Sequence, residues 1–101
     1  IHPYDEKVID KVEDKNPKTI LEQIKKTLIK YDEDDLFKEQ MMSWSKKNGV
    51  SIGLLMQTFR LALVGKLTGP DIFEVCSVLG KEVSLKRIND LIEHLNFKQI
   101  L

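Results

Sequence analysis

Apolar residues recur along the chain three and four positions apart, and no stretch alternates polar with apolar at a period of two. That pattern predicts helices throughout: an all-α fold, a compact bundle of about six short helices joined by short loops. The first, Pro3 to Asp14, carries Tyr4, Val8 and Val12 among charges and reads as an amphipathic surface helix. Asn16 and Pro17 then form a start signal, a capping side chain followed by a proline whose missing N–H costs nothing at the first helical position. The helix they open runs to about Lys30 and buries Ile20, Leu21, Ile24 and Leu28, while Glu22 and Lys26 are placed to pair on its outer face. Asp32 to Asp35 begin a third helix and Lys46 and Lys47 end it, each sign favourable with the helix dipole. Phe37, Met41 and Trp44 form its inner face, and Gly49 supplies a left-handed C-cap.

Ser51 caps a fourth helix that ends at Gly65. Lys66 to Gly69 form a turn, and Pro70 opens a fifth helix whose Ile72, Val75, Cys76 and Leu79 face inward until Gly80 stops it. Ser84 is the expected cap of the last helix, in which Leu85, Ile88, Leu91, Ile92 and Leu95 recur at the helical period. The chain is organised around Val50 to Glu82, which holds four of the five glycines. From Asn48 to Gly65 the only charged residue is Arg60, on a helix apolar around most of its circumference, as a buried helix is. A guanidinium there needs a carboxylate, backbone carbonyls or an arriving ligand. Glu74 and Glu82 are the candidate carboxylates. Gln57 lies one turn before Arg60 and points the same way. The loop Thr68, Gly69, Pro70, Asp71, Ile72 is read either as an ordinary turn ahead of a helix or as small, rigid and apolar surface. With Arg60 and Gln57 it offers what unstacked bases need, a planar cation and apolar surface for ring faces.

Composition narrows the chemistry. A chain of 101 residues has room for one core, and its 16 basic and 16 acidic residues cancel. Residues 1–43 hold 8 Lys/Arg against 11 Asp/Glu and residues 44–101 hold 8 against 5, a mild asymmetry that permits a polyanion at the C-terminal half. Cys76 is the single cysteine, which excludes an intrachain disulfide and fits a reducing compartment. The chain begins on Ile and reads as a fragment or processed piece, and its longest charge-free run, Asn48 to Phe59, is too short to span a bilayer. His2, His94 and Cys76 have no metal-ligand spacing, and His94 is read as a surface residue. Asp32 to Asp35 lack the spaced ligands and glycine of a calcium loop. Trp44 and the methionines fall at helical spacing and are read as core and not as a stacking platform. No phosphate-binding glycine loop and no Ser/His/Asp set is present, so catalysis by this chain alone is not expected, and neither a catalytic residue nor a bound metal is assigned.

The stretch Lys47, Asn48, Gly49, Val50, then Gly53, Leu54, Leu55, then QTFRLALVG, GPDIFEVCSVLGKE and Ser84 to Ile88 resembles the C-terminal anticodon-binding domain of bacterial-type glutamyl-tRNA synthetases. Gln57, Arg60, Ala62, Leu63, Gly65, Pro70, Phe73, Glu74, Leu79, Gly80, Lys81, Glu82 and Arg87 match that family's pattern. Thr58, Val64 and Ile72 stand where it has proline, threonine and leucine. The resemblance runs from about Lys46 to Leu95. It implies a single all-helical domain in which residues 46–101 form the anticodon-binding subdomain and residues 1–45 support it. It implies that Arg60, Gly69, Pro70 and Ile72, with Thr68 and Gln57 at the margin, contact the anticodon loop of tRNA(Glu). It implies a cytoplasmic, monomeric class I ligase that joins glutamate to tRNA with ATP and magnesium, whose preceding domains adjoin this one. The HIGH and KMSKS signatures of activation are absent here. The alternative is a helical protein-interaction module whose apolar groove beside Arg60 receives a partner helix, and salt separates the two readings.

Overall fold

The structure, a computed structural model, describes residues 6–100; His2 and Tyr4 lie outside them, as does the Val8 side chain. The described residues form six helices and no strand: α1 Glu6–Glu13, α2 Pro17–Lys30, α3 Asp34–Lys47, α4 Ile52–Val64, α5 Ile72–Leu79 and α6 Lys81–Ile100. α4 packs against each of the other five. Its Leu55, Phe59, Leu61, Ala62 and Leu63 have no exposed surface and form the middle of the core.

α1 is more deeply held than a surface helix: Ile9 and Val12 are fully buried in the core that α4 shares. Burying two such side chains contributes about 1.5–3 kcal/mol each, which ties this short element down. Asn16 starts α2 by conformation and not by capping, since its backbone is left-handed (φ 55°, ψ 51°) and its side chain makes no cap bond. Pro17 takes the first helical position, where its missing N–H is harmless. The predicted stripe Ile20, Leu21, Ile24 and Leu28 is buried. Among the described residues the expected Glu22–Lys26 pair does not form.

α3 ends in a hydrogen-bonded cap: Gly49 is left-handed (φ 67°), the Val50 N–H donates to Ser45 O at 3.0 Å, and the Ser45 hydroxyl donates to Val50 O. Ser51 caps α4 as predicted, its Oγ accepting from the Leu54 N–H at 3.1 Å. Two starts differ from expectation. α5 begins at Ile72 with Asp71 as its cap, Oδ1 accepting from the Phe73 N–H at 3.0 Å, so Pro70 stays in the loop. α6 begins at Lys81, directly after Gly80, and Ser84 lies inside it with no exposed surface. Its hydroxyl faces α5, donating to Cys76 O at 3.5 Å and accepting from Cys76 Sγ at 3.4 Å. Burial pushes the Cys76 thiol above its ordinary pKa, which suits a structural thiol.

Long-range polar ties close the bundle. Lys18 Nζ donates to Asn96 Oδ1 at 2.9 Å between α2 and α6. Lys81 pairs with Asp32, whose carboxyl is held below the usual range by that hydrogen bond. Ser77 donates to Asp34 Oδ2 at 2.6 Å, tying α5 to the start of α3. Among the described residues no helix is long and apolar enough to cross a membrane, and no group of His, Cys, Asp and Glu is placed to hold a metal ion.

Candidate functional site

The site grows from three phenylalanines. Phe37 of α3, Phe59 of α4 and Phe73 of α5 meet edge to face, with ring centroids 6.0, 5.8 and 5.7 Å apart. Each such pair contributes about 0.5–1.5 kcal/mol beyond simple burial. Arg60 follows Phe59 and Ile72 precedes Phe73, so the triad fixes both shores of the loop between α4 and α5. Gly65 ends α4, its N–H donating to Leu61 O at 3.0 Å. Gly69 has φ 149°, a backbone that residues with side chains rarely adopt, so the loop needs glycine there.

Across this loop the structure brings Arg60 and Pro70 together. Arg60 is half-buried and its Nε donates to Pro70 O at 3.4 Å, a long and therefore weak bond. No carboxylate of the described residues pairs with it: Glu74 and Glu82 are both exposed and make no ion pair with the guanidinium. Its two Nη groups are left as donors, held at the surface beside the loop. Gln57, Thr68, Gly69 and Pro70 are all exposed. Ile72 is only 1% exposed and belongs to the core, so what it gives the site is an anchor for the loop and not a contact surface.

Three features here were not read from the sequence. Lys38 reaches Asp71 (Nζ–Oδ2 3.9 Å) and lies 5.6 Å from the Phe73 ring centroid, which puts a cation at the loop's far side. A shallow apolar shelf of about 260 Å³ runs from Pro70 along Glu74, Val75, Val78 and Leu79, and Val78 on it is 87% exposed. The signal for it was a valine off the buried stripe of α5. Arg87, a matched residue of the motif, donates from Nη1 to Leu63 O at 2.6 Å and caps the end of α4, so its part is structural. Thr58, which stands where the resembled pattern has proline, leaves α4 unbroken at the cost of a buried hydroxyl with no hydrogen-bond partner among the described residues. His94, expected at the surface, is half-buried.

The arrangement can hold a planar, polar group: a guanidinium to stack on or donate, a rigid proline edge, and an apolar shelf beside them. Residues 2–92 match the family described as "Anticodon binding domain". The chain is also similar to proteins named glutamate–tRNA ligase. It is 44% identical to that of Flavobacterium johnsoniae over 52% of this chain and 10% of the relative. It is 36% identical to that of Christiangramia forsetii over 62% of this chain and 12% of the relative. With that of Phocaeicola vulgatus it shares 44% identity over 54% of this chain and 11% of the relative. The chain thus spans about a tenth of the length of these relatives. No solved structure matches it.

Proposed function

The chain belongs to the anticodon-binding domain family, and from that premise we propose that it recognises the anticodon loop of tRNA(Glu) as the C-terminal part of a glutamyl-tRNA synthetase. The observation that carries this reading is the half-buried Arg60 guanidinium, which no carboxylate of the described residues neutralises and which is tied among them only to Pro70 O. Arg87, an arginine spent on internal stability, makes a short bond to a helix-end carbonyl, whereas the long Arg60–Pro70 contact leaves both Nη groups of Arg60 as donors. Arg60 donates to or stacks on an anticodon base, the exposed Thr68, Gly69 and Pro70 approach the loop backbone and ring faces, Gln57 adds a polar contact at the margin, and Ile72 positions the loop. Residues 46–101 form the binding subdomain and residues 1–45 its support. Glutamate activation with ATP and magnesium belongs to the preceding domains, and this part neither binds those groups nor turns over substrate. The whole protein works in the cytoplasm, as a monomer and away from membranes.

Titration with the tRNA(Glu) anticodon stem-loop tests this. Arg60→Ala should weaken binding by about 1–3 kcal/mol while denaturant unfolding shifts little. A variant that unfolds far more easily, yet binds the stem-loop as before when folded, would make Arg60 a structural residue and end the proposal. The exposed Val78 on its apolar shelf favours a helix-docking reading instead. Salt decides between them, because RNA binding falls steeply with ionic strength and apolar docking does not.

A further inference from the structure

A second surface lies between α2 and α3, away from the α4–α5 loop. It is a groove of about 240 Å³ with Lys26, Lys30 and Tyr31 on one wall and Gln40, Trp44 and Lys47 on the other. Its lining includes no carboxylate, although residues 1–43 are acidic in sum. Lys26, Lys30 and Lys47 make no ion pair among the described residues. Glu22, one turn before Lys26, is placed to neutralise it and does not. Lys30 is held 5.4 Å from the Tyr31 ring centroid. Trp44 is only partly buried, and it also lines a second depression, of about 350 Å³, where Lys15 and Asn48 lie. The Gln40 side chain makes no hydrogen bond among the described residues, so its amide is available.

Three unneutralised ammonium groups beside two half-exposed aromatic rings select for a ligand that is both anionic and flat. An acidic peptide would answer the charge and leave the rings without a partner. A nucleotide answers both. At about 240 Å³ the groove is smaller than the roughly 300–1,000 Å³ of sites that enclose a free small molecule, and it adjoins the second depression across Trp44. That shape suits a polymer lying across the surface. We infer that the α2–α3 groove is a second RNA contact, in which Lys26, Lys30 and Lys47 hold backbone phosphates of a single-stranded stretch while a base stacks on Trp44. The inference rests on the proposed RNA-binding role for the kind of partner, but its residues are separate from the anticodon site.

Trp44 is the only tryptophan in the chain, so its emission reports on the surface it shares between this groove and the adjoining depression. The probe is a short, end-labelled oligouridylate, followed by anisotropy and by Trp44 emission, with inorganic polyphosphate as a comparison. Binding should quench Trp44. Changing Lys26, Lys30 and Lys47 together to Ala should raise Kd by about tenfold or more and lower the slope of log K against log salt by about two, at about 0.7 per single-strand phosphate. Should the triple variant fail to fold, Lys47→Ala alone, expected to lower the slope by about 0.7, carries the test. Three results would overturn the inference: no binding of the oligouridylate, binding without a change in Trp44 emission, or the same quench with polyphosphate. Stem-loop binding that depends on Arg60 while Trp44 stays silent with every RNA removes the groove and leaves the anticodon reading standing. Quenching by oligouridylate with no stem-loop binding does the reverse.

Discussion

The α4–α5 loop and the α2–α3 groove, the two surfaces proposed to meet RNA, differ in kind. The loop is fixed from behind by three interlocked phenyl rings and from within by hydrogen bonds at Asp71, Gly65 and Pro70. It carries one unneutralised guanidinium. The groove has no comparable strap; its lysines are exposed, its rings partly covered, and three like charges face it. Preorganised donors favour discrimination between bases, because little ordering remains to be done on binding. Loosely held ammonium groups favour affinity for any phosphate backbone and carry no sequence information. On the two proposals, specificity and attraction are housed on separate helices of one small bundle.

The largest effect expected on this contrast comes from removing the scaffold that both regions share. Phe59→Ala should cost about 3–5 kcal/mol and weaken the loop and the groove together, since α4 touches every other helix. Denaturant unfolding followed by Trp44 emission and by circular dichroism should give coincident, earlier transitions; a variant in which only one region loosens would show the two to be independent. Arg87→Ala acts on one side. Losing its bond to Leu63 O should cost about 1.5–3 kcal/mol and loosen the end of α4, so stem-loop affinity should fall while the native Trp44 spectrum stays the same.

Thr58→Val sharpens the contrast from the other direction. Removing a buried hydroxyl that has no partner should stabilise the fold by about 1 kcal/mol, read as a later denaturant midpoint, with both binding surfaces unchanged. The smallest effect belongs to Asp32, next to Tyr31 at the groove's end. Its folded pKa is depressed by Lys81, so its contribution is present above the ordinary carboxylate pKa and is lost as pH falls through the depressed value. Asp32→Asn should therefore lower the thermal midpoint slightly near neutrality, and the gap from the parent chain should close on acidification. A gap that stays constant with pH would remove the ion pair as its cause.

Much of the fold was legible because its signals are local. Pro17 and Ser51 mark helix starts, Gly49 and Gly65 mark ends, and the apolar spacing of α2 and α4 needs no knowledge of the neighbours. Ser84 shows where this fails. A serine before an apolar run reads as a cap, yet Gly80, at φ 87° and ψ 163°, ends α5 and lets α6 begin at the next residue, and Ser84 is left inside α6 facing Cys76. Nothing in a linear pattern separates a hydroxyl that caps its own helix from one that bonds the next. The lone Arg60 of the candidate site stood out for the same local reason, since its neighbours are apolar, whereas burial of Ile72 depends on the helices that pack against α5. The groove was not legible. Lys26 and Lys47 line one groove only because α3 packs on α2, a contact that the spacing within either helix does not state.

The central place of α4 bears on the order in which the protein is made. α1, α2 and α3 precede α4 in the chain, and each packs on a helix that does not yet exist when it is made. Until Val64 has left the ribosome, Ile9, Val12, Leu21, Ile24 and Met41 have no finished surface to cover them. A nascent chain paused before α4 should therefore be sticky and open to chaperones and proteases, and it should become resistant abruptly once α4 and the helices after it dock.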